Sequence, residues 1–301
     1  MKSAPQKIAI IGYGEVGPIF GQAFVERNIP VQIFDIKQSD PASRAVIESR
    51  AQASGAAVRN SLEEALQGAD LILSCVTASQ AGPVAEQVAR FIQAGQTFAD
   101  LNSVSPKVKQ DSAAAIEARG ANYLECAVMA PVPPQGIQVP ILLGGKTAAD
   151  SAPILNALGW KTQAVADYVG LASAIKLCRS IMIKGIEALC VQSMTAARHF
   201  GVEERILTSL AATFPGVGWD KGYEAYLIGR VVEHGQRRSE EMREAAKMLD
   251  EIGASSILAT AIADVHEEVA QTQRELCQAL DEKGALPGWR DSFKAPKGLN
   301  K

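Results

Sequence analysis

Two sets of residues in this chain have the types and spacing of chemistry. The first is Gly12-Tyr13-Gly14-Glu15-Val16-Gly17, a GxGxxG loop that follows the apolar run Ile8–Ile11 and opens a helical stretch, with Asp35 closing the next apolar run. Each part of this order has a physical reason. Gly12 permits the tight turn, Gly14 lets backbone approach a pyrophosphate, and Gly17 lets helix and strand pack closely. The helix N-terminus then offers unpaired N–H groups and a positive dipole end to the phosphates. Asp35 is placed to accept hydrogen bonds from the adenosine ribose hydroxyls and to repel a 2′-phosphate, which favours NAD over NADP. Lys37, two residues on, pulls the other way. The second set lies in Tyr168–Phe200, a stretch without proline and apolar around most of a helix. Its polar exceptions Ser173, Lys176, Ser180, Lys184 and Glu187 recur every three or four residues and so share one helical face. A lysine there either snorkels to solvent or is desolvated, its pKa falling toward working pH as a general acid or base requires.

The elements that must position these residues fall into two halves. Up to about residue 167, short apolar runs alternate with amphipathic stretches: strands are predicted at Ile8–Ile11, Val31–Phe34, Ala69–Val76, Thr97–Asp100, Tyr123–Val128, Ile141–Leu143 and Lys161–Val165. Helices are predicted at Val16–Arg27, Pro41–Ala53, Ser61–Gln67, Val84–Ile92, Pro106–Ala118 and Ala148–Leu158. This alternation implies an α/β Rossmann domain, a parallel sheet covered on both faces. Ser61 with Glu64 reads as a capping box, and Pro106 as a first helical residue. From residue 168 onward the pattern is all-helical, with strong helices at Glu240–Ile252 and Ile257–Leu280 and a Gly-, Pro- and Lys-rich tail from Gly284 expected to fray. The expected organisation is a dinucleotide-binding domain over 1–167 and an all-α substrate and dimerisation domain over 168–301, with a cleft between them.

Composition narrows the function. A chain of 301 residues is long enough for about two domains. With 30 Lys+Arg against 33 Asp+Glu, the net charge of −3 provides no basic field for nucleic acid. The five cysteines (Cys75, Cys126, Cys178, Cys190, Cys277) are scattered and the histidines number three, so no metal site is expected and the cysteines read as free buried thiols of a cytoplasmic protein. No run is long enough to suggest a membrane span, and the N-terminus reaches a strand too soon to hold a signal-peptide core.

At four segments the chain resembles the β-hydroxyacid dehydrogenase superfamily, which includes 3-hydroxyisobutyrate, tartronate semialdehyde and 6-phosphogluconate dehydrogenases. They are IAIIGYGEVG at the N-terminus; Asp100-Leu101-Asn102-Ser103-Val104-Ser105-Pro106, similar to DxSTxxP; Tyr123 to Gly145, in the place of the substrate-binding segment that ends in a Gly-Gly pair; and Gly170 to Ser180, similar to GxxxxxKxxxN. The resemblance implies that Lys176 takes the proton of the substrate hydroxyl as hydride leaves the same carbon for the nicotinamide. It implies cofactor contacts from Gly12 to Gly17, Asp35, Ile36, Val76, Thr77 and Ser103, and substrate contacts from Asn102, Met129, Ala130, Ser180 and Lys184. Two positions depart from the family. Its Ser-Gly-Gly, which holds the substrate carboxylate, is Met129-Ala130-Pro131 here, leaving backbone N–H groups to do that work, and its asparagine four residues after the lysine is Ser180. The pattern is similar to a branch with a 6-phosphogluconate-dehydrogenase-like helical domain.

The expected function is an NAD-dependent 3-hydroxyacid or sugar-acid dehydrogenase that dimerises through its helices. The competitors are an imine reductase of the same architecture, which typically lacks the lysine and prefers NADP, and a dinucleotide sensor without turnover. Arg237 and Arg238 are either guanidinium donors to an anionic substrate or a solvated helix face, and Lys221 and His234 are weaker candidates. Pro133-Pro134 with Gly136 reads as a rigid turn, and Trp219 with Tyr223 as pocket wall or core.

Overall fold

The computed structural model describes residues 3–280, and the tail from Gly284 lies outside them. The chain divides into two compact units, the first ending at Leu177 and the second beginning at Cys178.

The first unit holds one eight-stranded sheet: β1 (Ile8–Ile11), β2 (Val31–Phe34), β3 (Ala57–Val58), β4 (Leu71–Ser74), β5 (Thr97–Asp100), β6 (Asn122–Val128), β7 (Pro140–Gly144) and β8 (Lys161–Ala164), in the order β3-β2-β1-β4-β5-β6-β7-β8. Its helices are α1 (Gly17–Val25), α2 (Pro41–Ser54), α3 (Leu62–Leu66), α4 (Ala78–Val88), α5 (Pro106–Glu117), α6 (Val132–Gln135) and α7 (Ala148–Ala157). The central strands are apolar on both faces because both faces are covered. Ile8 and Ile10 join one cluster with Phe20, Phe24 and Trp160, whereas Ala9 and Ile11 join the other with Leu66, Ile92 and Phe98, as the two-residue period of a strand dictates. The strand order reverses at β1, which lies between β2 and β4, and this opens a crevice at their carboxyl ends.

The sheet departs from the expected all-parallel arrangement at one place. β7 runs antiparallel to β6, pairing Glu125 with Gly144 and Val128 with Ile141. Here α6 and a 3-10 turn, not a full crossover helix, join two adjacent strands. Pro133-Pro134 accordingly lie in a single helical turn that Gly136 ends at φ +57. The helix expected from Val84 begins at Ala78, with Pro83 inside it. One backbone bond is forgone there, while Ala81, Ala85 and Val88 are buried. Pro106 does open α5, and Ser61 caps α3 by accepting from the Glu64 N–H at 3.1 Å. The Glu64 carboxylate returns to the N–H of Asn60, one residue before the position a capping box uses.

In the second unit lie most of α8 (Leu171–Phe200) and all of α9 (Glu203–Thr213), α10 (Tyr223–Glu251) and α11 (Ile257–Leu280). α9 and the first half of α10 had no predicted counterpart. Cys190, Val191, Met194, Leu227, Ile228, Val231 and Val269 form the core, with Trp219 and Tyr223 packed against it. Close approach of α10 and α11 is made possible by Gly235, where a Cβ would stand 2.6 Å from the His266 carbonyl. No helix among the described residues is long and apolar enough to cross a membrane.

Candidate functional site

The glycine loop leaves β1 at its carboxyl end, and its three glycines do different work. At Gly12, φ is +87 and a Cβ would lie 2.6 Å from the Cys75 carbonyl; at Gly17 it would lie 2.6 Å from the Gly12 carbonyl. Both are required by the protein's own packing. Gly14 has nothing within 4 Å and is exposed, so its bare backbone faces open space. Beyond it α1 begins with Pro18 in its first turn and no side-chain cap on its N-terminus. Open space, an uncapped helix end and no Cβ at Gly14 fit a pyrophosphate.

Asp35, half-buried at the end of β2, accepts from the Tyr13 N–H at 2.8 Å and from the Lys37 N–H at 2.9 Å. Its carboxylate is thereby fixed beside the loop, and Ile36 next to it is exposed. Of Tyr13 only the backbone belongs to the loop. Its ring is buried, its hydroxyl lies 2.6 Å from Ser54 Oγ, and burial raises the phenol pKa. Glu15 is exposed and Val16 half-buried at the start of α1. Arg50, on α2, donates to the carbonyls of Gly14 (3.0 Å) and Tyr13 (3.3 Å), so a cation sits behind the loop where no sequence signal marked one.

Beyond β4, Val76 and the exposed Thr77 lead into α4. The Val76 N–H donates to Asn102 Oδ1 (2.8 Å), and Asn102 Nδ2 donates to Ser74 Oγ (2.9 Å) and Asp100 Oδ1 (2.7 Å). Asn102 is buried and engaged at both ends of its amide, so the substrate-orienting role expected of it becomes one of holding the turn after β4. Ser103 beside it has a buried hydroxyl with no partner among the described residues. Beneath them Asp100 and Lys109 form an ion pair at 2.9 Å with both side chains fully buried. The Tyr123 hydroxyl donates to Asp100 Oδ2 at 2.6 Å, and Lys109 also donates to the Asp100 carbonyl. Burial pushes the nearby Cys75 thiol up to about 12, so it carries no thiolate chemistry. Cys178, by contrast with the expected burial, is exposed.

Met129, Ala130 and Pro131 follow β6. The Met129 N–H is taken by the Pro140 carbonyl at 2.9 Å and is therefore not a donor to a carboxylate. Further back on β6, Glu125 accepts from the N–H groups of Gly170 and Ser173, each at 2.8 Å, at the start of α8. Lys176 is half-buried one turn later.

Within the second unit the polar face of α8 is buried and paired. Ser180 Oγ donates to Glu241 Oε1 (2.6 Å), and Lys184 Nζ lies 3.0 Å from Ser180 Oγ and 3.1 Å from Glu241 Oε2. Burial lowers the Lys184 pKa, and Glu241 offsets part of that shift. Glu187 pairs with Arg238 at 2.5 Å and faces His266 Nε2 at 3.3 Å. The two adjacent arginines thus part company: Arg237 is exposed, whereas Arg238 is buried against an internal carboxylate and does not stand free for a substrate anion. Lys221 is exposed, and the partly exposed His234 has its pKa lowered mainly by desolvation.

These features define a Rossmann dinucleotide-binding unit followed by a helical unit with a buried charged network. Residues 7–170 match the model of the NAD binding domain of 6-phosphogluconate dehydrogenase, and 197–269 match a domain of unknown function (DUF1932). A conserved hypothetical protein from Sinorhizobium meliloti 1021 is 34% identical, with a TM-score of 0.76 over 97% of this chain and 96% of that one. An uncharacterized 28.5 kDa protein from Methanothermus fervidus is 24% identical over 81% of this chain and 90% of its own. The 3-hydroxyisobutyrate dehydrogenase of Mycobacterium tuberculosis, solved with L-serine, shares the fold at a TM-score of 0.68 and 16% identity over 96% and 98% of the two chains. The chain belongs to the family of the 6-phosphogluconate dehydrogenase NAD binding domain, and with it to the β-hydroxyacid dehydrogenase superfamily. Its cofactor is NAD(P), and it is an oxidoreductase of the hydroxyacid-dehydrogenase kind or a related reductase.

Proposed function

We propose that this protein is a cytoplasmic NAD-dependent dehydrogenase that oxidises the hydroxyl of a 3-hydroxy acid or sugar-acid-like substrate, with Lys176 as general acid/base. The observation that carries this reading is the presence, in one compact unit, of the glycine loop with Asp35 and of a half-buried lysine in the first turns of α8. Gly12 to Gly17 and the N-terminus of α1 would hold the pyrophosphate, Asp35 and Ile36 the adenosine ribose, and Val76, Thr77 and Ser103 the nicotinamide half. When bound, NAD supplies the hydride acceptor. Asp35 favours NAD over NADP because its carboxylate, fixed by two backbone donors, would face a 2′-phosphate across the ribose.

Lys176 takes the hydroxyl proton as the carbon–hydrogen bond is oxidised, and in the reverse direction returns it to the carbonyl oxygen. The substrate carboxylate is assigned to the Ala130 amide, since that of Met129 is used by the sheet. Ser180 and Lys184 are engaged by Glu241 within the second unit. An uncovered apolar stripe on α8, formed by Ile175, Met182, Ile186 and Leu189, supports assembly as a homodimer.

The test is absorbance at 340 nm with NAD or NADP and a panel of 3-hydroxy acids, from 3-hydroxyisobutyrate and glycerate to four- to six-carbon aldonates. NADH production from a member of the panel supports the reading. NADH binding by fluorescence with no turnover of any member counts against it and in favour of a sensor or a reductase of imines.

A further inference from the structure

Glu125 is a fully buried carboxylate in the middle of a sheet, a costly place for a charge unless it is hydrogen-bonded to a purpose. Its partners come from one place. Oε2 accepts from the Gly170 N–H and Oε1 from the Ser173 N–H, both at 2.8 Å; these amides lie just before α8 and in its first turn. α8 has no acidic residue of its own in that turn, so the anion that complements its N-terminus is supplied from β6.

The surroundings are shaped for this contact. Gly144, opposite Glu125 in the β6–β7 register, has no Cβ where one would press against Glu125 Oε2. Gly145, at φ +111, donates its N–H to the Tyr168 carbonyl and draws in the chain that leads to the helix. Gly170, at φ +116, makes the final turn before α8, and Gln110 holds the neighbouring Val169 carbonyl at 3.2 Å. The Gly-Gly pair thus makes room for a carboxylate and the chain it grips.

We infer that Glu125 is the positioning residue for Lys176: by gripping the amides of Gly170 and Ser173 it fixes the position and rotational phase of the helical turn from which Lys176 projects. Ser173 and Lys176 are three residues apart, hence neighbours on one face. A bidentate grip one turn upstream leaves that face no freedom to rotate, and misplacement of a catalytic group by about 1 Å can cost 100-fold in rate. This inference rests on the reading of Lys176 as the acid/base.

Glu125→Gln keeps the size but turns an N–H₂ toward one of the two amides, and Glu125→Asp keeps the charge but falls short by one methylene. Two measurements on the whole protein need no substrate: hydrogen exchange of the segment 169–177, and NADH affinity by fluorescence titration. In Glu125→Gln, exchange in that segment is expected to rise at least ~10-fold with NADH affinity unchanged, because a broken buried contact frees the turn locally. On the hydroxy-acid panel kcat is expected to fall with KM little changed, and Glu125→Asp should lie between. A folded Glu125→Gln with wild-type exchange in that segment overturns the proposal; should it fail to fold, the same reading on Glu125→Asp decides. Turnover on the hydroxy-acid panel separates the two claims. If Lys176→Ala remains active, the acid/base reading fails and takes this one with it. If Lys176→Ala is dead while Glu125→Gln turns over like wild type, only the role of Glu125 fails.

Discussion

The loop after β1 is built from backbone amides and absent side chains, whereas along α8 Ser180, Lys184 and Glu187 are polar side chains held by partners from another helix. Nothing stands within 4 Å of where a Gly14 side chain would be, and α1 starts without a side-chain cap. Along α8 the reverse holds: Ser173 is gripped through its amide by Glu125, Ser180 and Lys184 by Glu241, and Glu187 by Arg238 with His266 beside it. A phosphate site of the kind proposed for this loop is made by leaving things out at short spacing. A buried ionisable face, by contrast, needs a counter-group for every member, because an unpaired charge there is expensive.

Breaking the paired face should have the largest effect on stability. Arg238→Ala leaves Glu187 buried without its strongest partner, and we expect a loss of about 3–5 kcal/mol in denaturant unfolding; a loss below ~1 kcal/mol would mean that the pair is dispensable. Within the loop the glycines should separate. Gly12→Ala forces a side chain into a left-handed backbone and against the Cys75 carbonyl, costing the apoprotein at least ~1–2 kcal/mol. Gly14→Ala should leave apoprotein melting unchanged within the ±0.5 kcal/mol typical of harmless surface changes, yet weaken NADH binding in a fluorescence titration. Equal melting temperatures for the two variants would erase the distinction drawn between them. Asp35→Ala is expected to erode discrimination between NAD and NADP, read as the ratio of their dissociation constants, and an unchanged ratio removes Asp35 from the cofactor argument.

The smallest effect is a pH dependence. Burial holds the Lys184 pKa below the ordinary 10.5, so the unfolded chain binds the proton more readily between the folded and unfolded values. The penalty for burying the charged amine is fully present below the folded pKa and is relieved as pH rises toward 10.5. Compared with Lys184→Met, the wild type should therefore gain stability over that alkaline window, and parallel unfolding profiles would contradict this.

How much of this was legible in sequence follows from distance along the chain. The glycine loop, Asp35, the Ser61 cap and Pro106 are local signals, and each marks its element. Glu125, Lys109 and Glu241 carried no signal, because a lone charge in an apolar run acquires meaning only from partners such as Gly170, 45 residues from Glu125, or Ser180, 61 residues from Glu241. Pro83 hid the start of α4, since a proline within a helix reads as its boundary. Gly229 and Gly235 weakened the pattern of α10, although Gly235 is there to let α11 approach. The polar face of α8 was visible from spacing, but whether it met solvent, substrate or protein was not, and the helices that bury it lie far along the chain.

The acid/base role of Lys176 is tested by Lys176→Ala, with turnover of the active hydroxy acid and NADH affinity measured on the same preparation. The expected result is a fall in kcat of at least ~100-fold, the low end of general acid–base catalysis, with NADH binding as tight as in the wild type. Turnover within a few-fold of wild type would contradict it, and leave the polar face of α8 as structure alone.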